Sequence, residues 1–274
     1  MKEPDSSFYK ESALYENRSQ ETQNNTPSHD WRYETCLSSL GSQPGRSLLD
    51  VGCGDGTFLV RARDQGFKVF GIDFDDRAVS IAKKIRKLEQ VECGRWDSIS
   101  RMSGWEQFDV ITMFDVLEHV AAPGDLAATA YALLKPNGTM AISVPRFDRY
   151  PRMFDIEYDF PPHHFTLWTS KAMIVLLEKT GCEDIRIVEK PLEAKDVLEH
   201  IKWRVKRLVR RLRRGSEEPS GRPDPRTAPA GVIKTALKIF EKPLLLMLGL
   251  AVLFLRAIHL ARGHTLLVLA KKKA

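Results

Sequence analysis

Cysteine is scarce in this 274-residue chain: four residues, Cys36, Cys53, Cys93 and Cys182, with no CxxC pair among them. That spacing excludes a disulfide framework and a zinc site of paired thiolates, and predicts reduced, intracellular thiols. A membrane-crossing segment is also missing. The charge-free run Pro243–Leu255 has only 13 residues, and a spanning helix needs about 20. The N-terminus, Met1-Lys-Glu-Pro-Asp-Ser-Ser, has no apolar h-region, so no secretory signal and a cytoplasmic location are expected. No internal repeat is present, so a repeat array is not expected.

What is present is ordinary globular composition, 43% hydrophobic and 28% charged, in a chain long enough for one sizeable core. The net charge of +6 is unevenly placed. From Pro191 onward there are 19 Lys and Arg against 7 Asp and Glu, leaving 23 against 29 in residues 1–190. A basic C-terminal third points to nucleic acid or an anionic membrane surface.

Residues 1–28 are rich in Ser, Asn, Gln, Glu and Thr and predict a disordered tail. From 29 to 190 the pattern alternates. Strand-like runs fall at Ser47–Val51, Lys68–Asp73, Glu89–Cys93, Phe108–Phe114, Thr139–Val144 and Asp184–Glu189, and helical ones at Gly56–Gln65, Asp76–Leu88, Asp125–Leu134 and Ser170–Thr180. Lys135-Pro-Asn-Gly138 reads as a turn. Such alternation predicts an α/β fold: a Rossmann-like, seven-stranded, mostly parallel sheet with helices on both faces. Residues 191–263 read as a helical C-terminal insertion. It comprises a basic amphipathic helix at Glu193–Arg214, a linker of four prolines and three glycines at Gly215–Gly231, and an apolar helix at Val232–Arg262. Residues 264–274 supply the last strand and a basic tail.

The chemistry is concentrated in Leu48-Leu-Asp-Val-Gly-Cys-Gly-Asp-Gly-Thr57. A buried strand ends in an acid and turns on alternating glycines into a helix. Glycine permits positive φ and lets a ligand approach the main chain, and open α/β sheets bind ligands at this strand end. Gly52-x-Gly54-x-Gly56 is not the GxGxxG of dinucleotide sites, since Thr57 stands at the last position. Asp50 and Asp55 would repel a pyrophosphate but suit a ligand carrying an ammonium and a sulfonium. The second strand ends in Asp73, 23 residues after Asp50, near the spacing at which an acid accepts ribose hydroxyls.

Four segments together resemble the class I S-adenosylmethionine-dependent methyltransferases, in particular the group containing the ubiquinone-biosynthesis O-methyltransferases. They are Leu-Asp-Val-Gly-Cys-Gly-Asp-Gly (49–56), Val-Phe-Gly-Ile-Asp (69–73), Phe-Asp-Val-Ile-Thr-Met-Phe-Asp-Val-Leu-Glu-His-Val (108–120) and Leu-Lys-Pro-Asn-Gly-Thr-Met-Ala-Ile-Ser-Val-Pro (134–145). The resemblance covers about Ser47–Lys190, with the strand after His264 as a seventh. It implies S-adenosylmethionine as cofactor. Asp50, Gly52, Cys53, Gly54, Asp55 and Gly56 would face its methionine part, and Asp73 its ribose. Phe74 and Asp97 would lie at the adenine, and Phe114 and Asp115 would line the methionine side.

Methyl transfer asks mainly for in-line placement of the acceptor, with a base if the acceptor is a hydroxyl. Candidate bases are His119, in Leu-Glu-His, and the adjacent His163 and His164 of Pro161-Pro-His-His-Phe-Thr-Leu-Trp168. No carboxylate or third histidine stands at ligand spacing from that pair, so no metal is expected. Tyr150, Phe154, Tyr158 and Phe160 would form an acceptor wall or a packed cap. In the insertion, basic residues accompany leucines rather than stacking aromatics. This favours an anionic membrane surface over nucleic acid and a peripheral position on the inner membrane face. The acceptor expected is a small or lipid-linked molecule, and the reaction expected is O-methylation. The competing readings are a non-catalytic, membrane-associated scaffold that binds the same cofactor, and another transferase that uses it. Acceptor identity and oligomeric state are not written in the sequence.

Overall fold

The computed structural model describes residues 30–42, 44–101, 107–148, 161, 163–190, 193, 194, 197, 198, 201, 202, 247, 249–251 and 265–274. The predicted tail at 1–28 and the linker at 215–231 lie outside these residues, as do Tyr150, Phe154, Tyr158 and Phe160. So does most of the two insertion helices.

In chain order the elements are α1 (Trp31–Leu40), β1 (Ser47–Val51), α2 (Thr57–Asp64), β2 (Lys68–Asp73), α3 (Asp76–Lys84), β3 (Val91–Cys93), β4 (Phe108–Phe114), α4 (Pro123–Leu133), β5 (Leu134–Pro145), α5 (Ser170–Thr180), β6 (Cys182–Glu189) and β7 (Thr265–Lys272). Short 3₁₀ turns occupy Trp96–Arg101 and Leu117–His119. The strands form one seven-stranded sheet in the order β3-β2-β1-β4-β5-β7-β6. Pairs from β3 to β5 are parallel, and β7 runs antiparallel to both β5 and β6. This is the expected mostly parallel sheet.

Strand alternation builds two cores, one on each face. Leu49, Ile111, Met113, Ile142 and Val268 pack with Leu126 and Ala130 of α4 and Met173 and Leu177 of α5. Their chain neighbours Leu48, Val110, Ala141 and Leu267 pack instead with Cys36 and Leu37 of α1, Phe58 and Leu59 of α2, and Val79 and Ala82 of α3. The strands are apolar on both faces because helices cover both.

Several predicted boundaries move. α3 stops at Lys84 rather than Leu88; Lys87 takes positive φ and Leu88 turns inward to be buried. α4 passes straight into β5 at Leu134, so the predicted turn at 135–138 becomes a bulge inside that strand. Between Phe108↔Leu134 and Val110↔Thr139 the register jumps, and Asn137 has φ 60°. α1 was not foreseen as a helix, although Asp30 caps it through its side chain and Gly41 ends it.

At the amino edge of the sheet, Asp109 accepts from Ser47 N, Ser47 Oγ and Lys135 Nζ at 2.8–2.9 Å. Burial pushes its pKa up, but the Lys135 and Ser47 bonds outweigh this and bring it down to about 2. A carboxyl lowered on folding stabilises above its unfolded pKa, and that stability is lost as pH falls through the folded one. Asp109→Asn is therefore expected to cost about 1–2 kcal/mol at neutral pH. In urea melts the gap from wild type closes between about pH 4 and pH 2; an unchanged gap across that range would refute the assignment.

Contacts divide the chain into two compact units. The first holds every element named above. The second comprises Arg149–Asp155 and Pro191–Gly263. Within it Ala194, Val197, Leu198, Ile201 and Lys202 are helical, with Val197 and Leu198 buried. Gly249 and Ala251 are also helical, as are Met247 and Leu250, which are exposed by 70% and 62%. Among the described residues no helix is long and apolar enough to cross a membrane.

Candidate functional site

β1, β2, β4 and β5 are parallel, so their carboxyl ends share one edge of the sheet. The glycine turn follows β1 there. Gly52, Gly54 and Gly56 have φ of 76°, 52° and 79°, values that L-residues rarely adopt. Gly52 N and Cys53 N both donate to Ile72 O, at 2.8 and 3.1 Å, which ties the turn to β2. A Cβ on Gly54 would meet nothing within 4 Å, so this part of the turn presents bare backbone to open space.

Two acids flank the turn inside the protein. Asp50 is 3% exposed and accepts from Thr112 Oγ1 at 2.7 Å. Burial pushes its carboxyl up to about 8, against the Thr112 bond and with a further push from Asp73. Asp73 accepts from Gly54 N and Asp75 N, each at 2.8 Å. Burial raises it to about 6 despite those two bonds. The third acid behaves differently. Asp55 accepts from Thr57 N and Thr57 Oγ1 and pairs with Arg86 at 2.8 Å. Its carboxylate thus holds Thr57, the first residue of α2, and neutralises Arg86. Cys53 is buried at 6% exposure. Phe74 is half-buried, and its carbonyl lies 3.9 Å from Cys93 Sγ. Asp97 is exposed and faces Arg95 at 3.7 Å.

From α1, Arg32 reaches the end of β4. It pairs with Asp115 and with Asp30, the latter at 2.6 Å, and touches Ser143 Oγ at 3.5 Å. Burial works against its charge, but Asp115 and Asp30 outweigh it and hold the guanidinium ionised. Asp115 takes φ 55° and donates its backbone N–H to Ser143 O and Ser143 Oγ, at 3.1 and 3.2 Å. Beside this network Tyr33, Phe58 and Phe114 form an aromatic trio with centroids 4.7–5.1 Å apart. Phe114 thus turns into the core under the site.

Past Asp115 the 3₁₀ turn presents Glu118 and His119. Glu118 O accepts from Phe165 N and Thr166 N, and Thr166 Oγ1 donates to Leu117 O. These bonds stitch the post-β5 loop to the post-β4 turn. His119 Nδ1 lies 2.7 Å from His163 O, and its ring meets that of His164 edge-on at 4.8 Å. The Glu118 side chain is 2% exposed, with Oε1 4.0 Å from His119 Nε2. Ligand atoms of Glu118, His119 and His164 all lie within 4.8 Å of one another, a donor set that a divalent cation such as Zn²⁺ accepts. The linear spacing around His163 and His164 offered no carboxylate; the fold brings one from another segment.

A methyltransferase domain family model matches residues 30–187, more than half of the chain. The chain belongs to that family. It is a class I S-adenosylmethionine-dependent methyltransferase domain, and the turn, with its left-handed glycines and exposed backbone at Gly54, fits that cofactor. It is similar to the mitochondrial ubiquinone biosynthesis O-methyltransferase of Schizosaccharomyces pombe, 35% identical over 117 residues, 41% of this chain and 40% of that protein. It is also 30% identical over 177 residues to the tRNA U34 carboxymethyltransferase of Vibrio cholerae, 58% of this chain and 52% of that protein. The chain thus spans about half the length, or less, of these curated relatives. Among solved structures, a methyltransferase from Archaeoglobus fulgidus superposes with a TM-score of 0.55 at 16% identity, covering 88% of this chain and 92% of that one. At that identity the likeness speaks for the fold alone.

Within the methyltransferase domain, the expected cofactor residues Asp50, Gly52, Gly54, Gly56 and Asp73 come together around one turn, and Asp115 caps β4 on the same edge. Arg32 and Ser143 were missed. Arg32 stands among ordinary helix residues, and only α1's approach to the ends of β4 and β5 gives it partners. The signal available was Asp30, an N-cap residue two positions before it.

Proposed function

We propose that this methyltransferase domain moves the S-adenosylmethionine methyl group to a hydroxyl of a small or lipid-linked acceptor, with His119 as base. The observation that carries this is the His119 hydrogen bond. A carbonyl only accepts, so Nδ1 bonded to His163 O must carry the proton. In the neutral ring Nε2 then keeps its lone pair. As Nε2 takes the acceptor's proton, the Glu118 carboxylate 4.0 Å away stabilises the imidazolium. The His163–Trp168 loop is held against Glu118 by its own backbone, so the base and the loop that would shape the acceptor pocket move together. The cofactor, when bound, supplies an electrophilic methyl on sulfonium. Asp50 and the glycine turn would hold its amino-acid end, Asp73 its ribose, and Arg32 a carboxylate on the Asp115 side.

A second reading rests on the same cluster: Glu118, His119 and His164 hold a divalent cation that binds the acceptor oxygen.

The acceptor would be met at an anionic membrane surface. Support comes from the +12 net charge of residues 191–274 and from chain topology. Glu189, at the end of β6, pairs with Leu266, and Thr265 pairs with Pro145 at the end of β5. Both ends of the 191–263 insertion therefore join the sheet at its carboxyl edge, where the methyl donor site lies.

The test mixes this chain with labelled S-adenosylmethionine, a membrane extract, total RNA, and phosphatidylglycerol or phosphatidylcholine vesicles. Expected are flotation with the anionic vesicles only, loss of that binding in 0.5 M salt (a Debye length of about 4 Å), and label in the membrane-extract lipid fraction. Label in RNA, or no vesicle binding at low salt, would overturn the membrane reading.

A further inference from the structure

Asp50 and Asp73 lie at the carboxyl ends of adjacent parallel strands, Asp50 opposite Gly71 and Asp73 two residues further on, and both are more than nine-tenths buried beside the glycine turn. Their hydrogen bonds come from Thr112 Oγ1, Gly54 N and Asp75 N. Among the described residues no Lys, Arg or His makes an ion pair with either acid. The other titratable groups around them are Cys53 from the turn, Tyr33 and Cys36 from α1, and the acids Asp55 and Asp75. Arg32 acts on Tyr33 while its own ion pairs go to Asp30 and Asp115. Asp55 pairs with Arg86 and Asp75 with Arg77, so the cations nearest the turn are taken by its outer acids, and among the described residues none pairs with the buried Asp50 or Asp73. Two like charges in such a place cannot both be carried cheaply.

We propose that cofactor uptake is a proton-for-cation exchange: the ammonium of the cofactor's amino-acid end takes the place of a proton held by the Asp50–Asp73 pair, which leaves to solvent. The inference rests on the reading that this turn faces the amino-acid end. The raised carboxyls, about 8 for Asp50 and about 6 for Asp73, agree with a proton held there at neutral pH. Asp73 pushes Asp50 further up, so the proton count is measured for the site and not assigned to one acid. No covalent bond changes. The device makes the site prefer ligands that carry the amino acid, and increasingly so as pH rises toward 8.

The experiment is calorimetric titration of the full chain at pH 7 in two buffers of different ionisation enthalpy. The ligands are S-adenosylhomocysteine and 5′-methylthioadenosine, which has the adenosine and thioether but no amino acid. Expected is release of close to one proton with the first and close to none with the second. The first ligand should tighten by up to about tenfold per pH unit between pH 6.5 and 7.5, the limit for one coupled proton. Asp50→Asn imitates the protonated acid and retains an oxygen for Thr112. It should flatten that profile, abolish the proton release and weaken the first ligand by about tenfold or more. If this variant does not fold, Asp73→Asn should still reduce the proton count. Equal release by wild type and both variants, or none by wild type, overturns the exchange. Failure of folded wild-type protein to bind either ligand overturns the cofactor-site reading itself, and the exchange with it.

Discussion

His119→Asn is expected to lower kcat by about 100- to 10,000-fold while S-adenosylhomocysteine binding stays as in wild type. Asn can still donate to the His163 carbonyl, which His119 meets at 2.7 Å, so the stitch between the two loops is preserved. What disappears is the Nε2 lone pair. Glu118→Gln separates the base from its electrostatic support. It leaves the imidazole in place but removes the charge 4.0 Å from Nε2, so the acidic limb of the kcat profile should move down in pH as the imidazolium loses its partner. Chelation distinguishes the two readings of the cluster. A proton relay is indifferent to EDTA. A cation held by Glu118, His119 and His164 is stripped by EDTA and restored by added metal. Wild-type rates in His119→Asn would sink both.

Gly52→Ala carries the second large effect, and it is one of stability as well as binding. A methyl group there would lie 2.4 Å from Val116 Cγ2, on a residue with φ 76°. The left-handed backbone alone costs an alanine roughly 1–2 kcal/mol, and the clash adds about 1–3 kcal/mol. The expected sum of about 2–5 kcal/mol should appear as a large drop in Tm together with loss of cofactor binding, because Gly52 N and Cys53 N anchor the turn to Ile72 O. The double variant with Val116→Ala separates the two causes. It should recover the clash portion and leave the backbone portion. Full recovery in the double variant would show that φ at position 52 carries no cost; no recovery would show that Val116 is not the obstacle.

The parts of this protein that could be read along the chain are those governed by local rules. Strands Ser47–Val51, Lys68–Asp73 and Phe108–Phe114 fall where apolar β-formers lie between turn residues, and α5 starts and stops at Thr169 and Gly181 because those residues cap it. The glycine turn was legible for the same reason: its φ values are a property of residue type. Asp55 shows what proximity along the chain does not contain. It stands in the motif, but its carboxylate is taken by Thr57 and by Arg86, thirty-one positions away, and no spacing rule would have paired them.

Strand periodicity, glycine conformations and charge placement depend on a few neighbouring residues, so the chain alone specified a mostly parallel sheet, a left-handed glycine turn and a basic C-terminal third. Partnership between distant segments depends on which surfaces pack, and that was decided only by the fold. It placed Arg32 on Asp115, laid the His163 carbonyl on His119, buried Glu118 beside it, and returned β7 antiparallel between β5 and β6. A side chain's protonation and reactivity follow from burial and from neighbours in space, which sequence order does not contain.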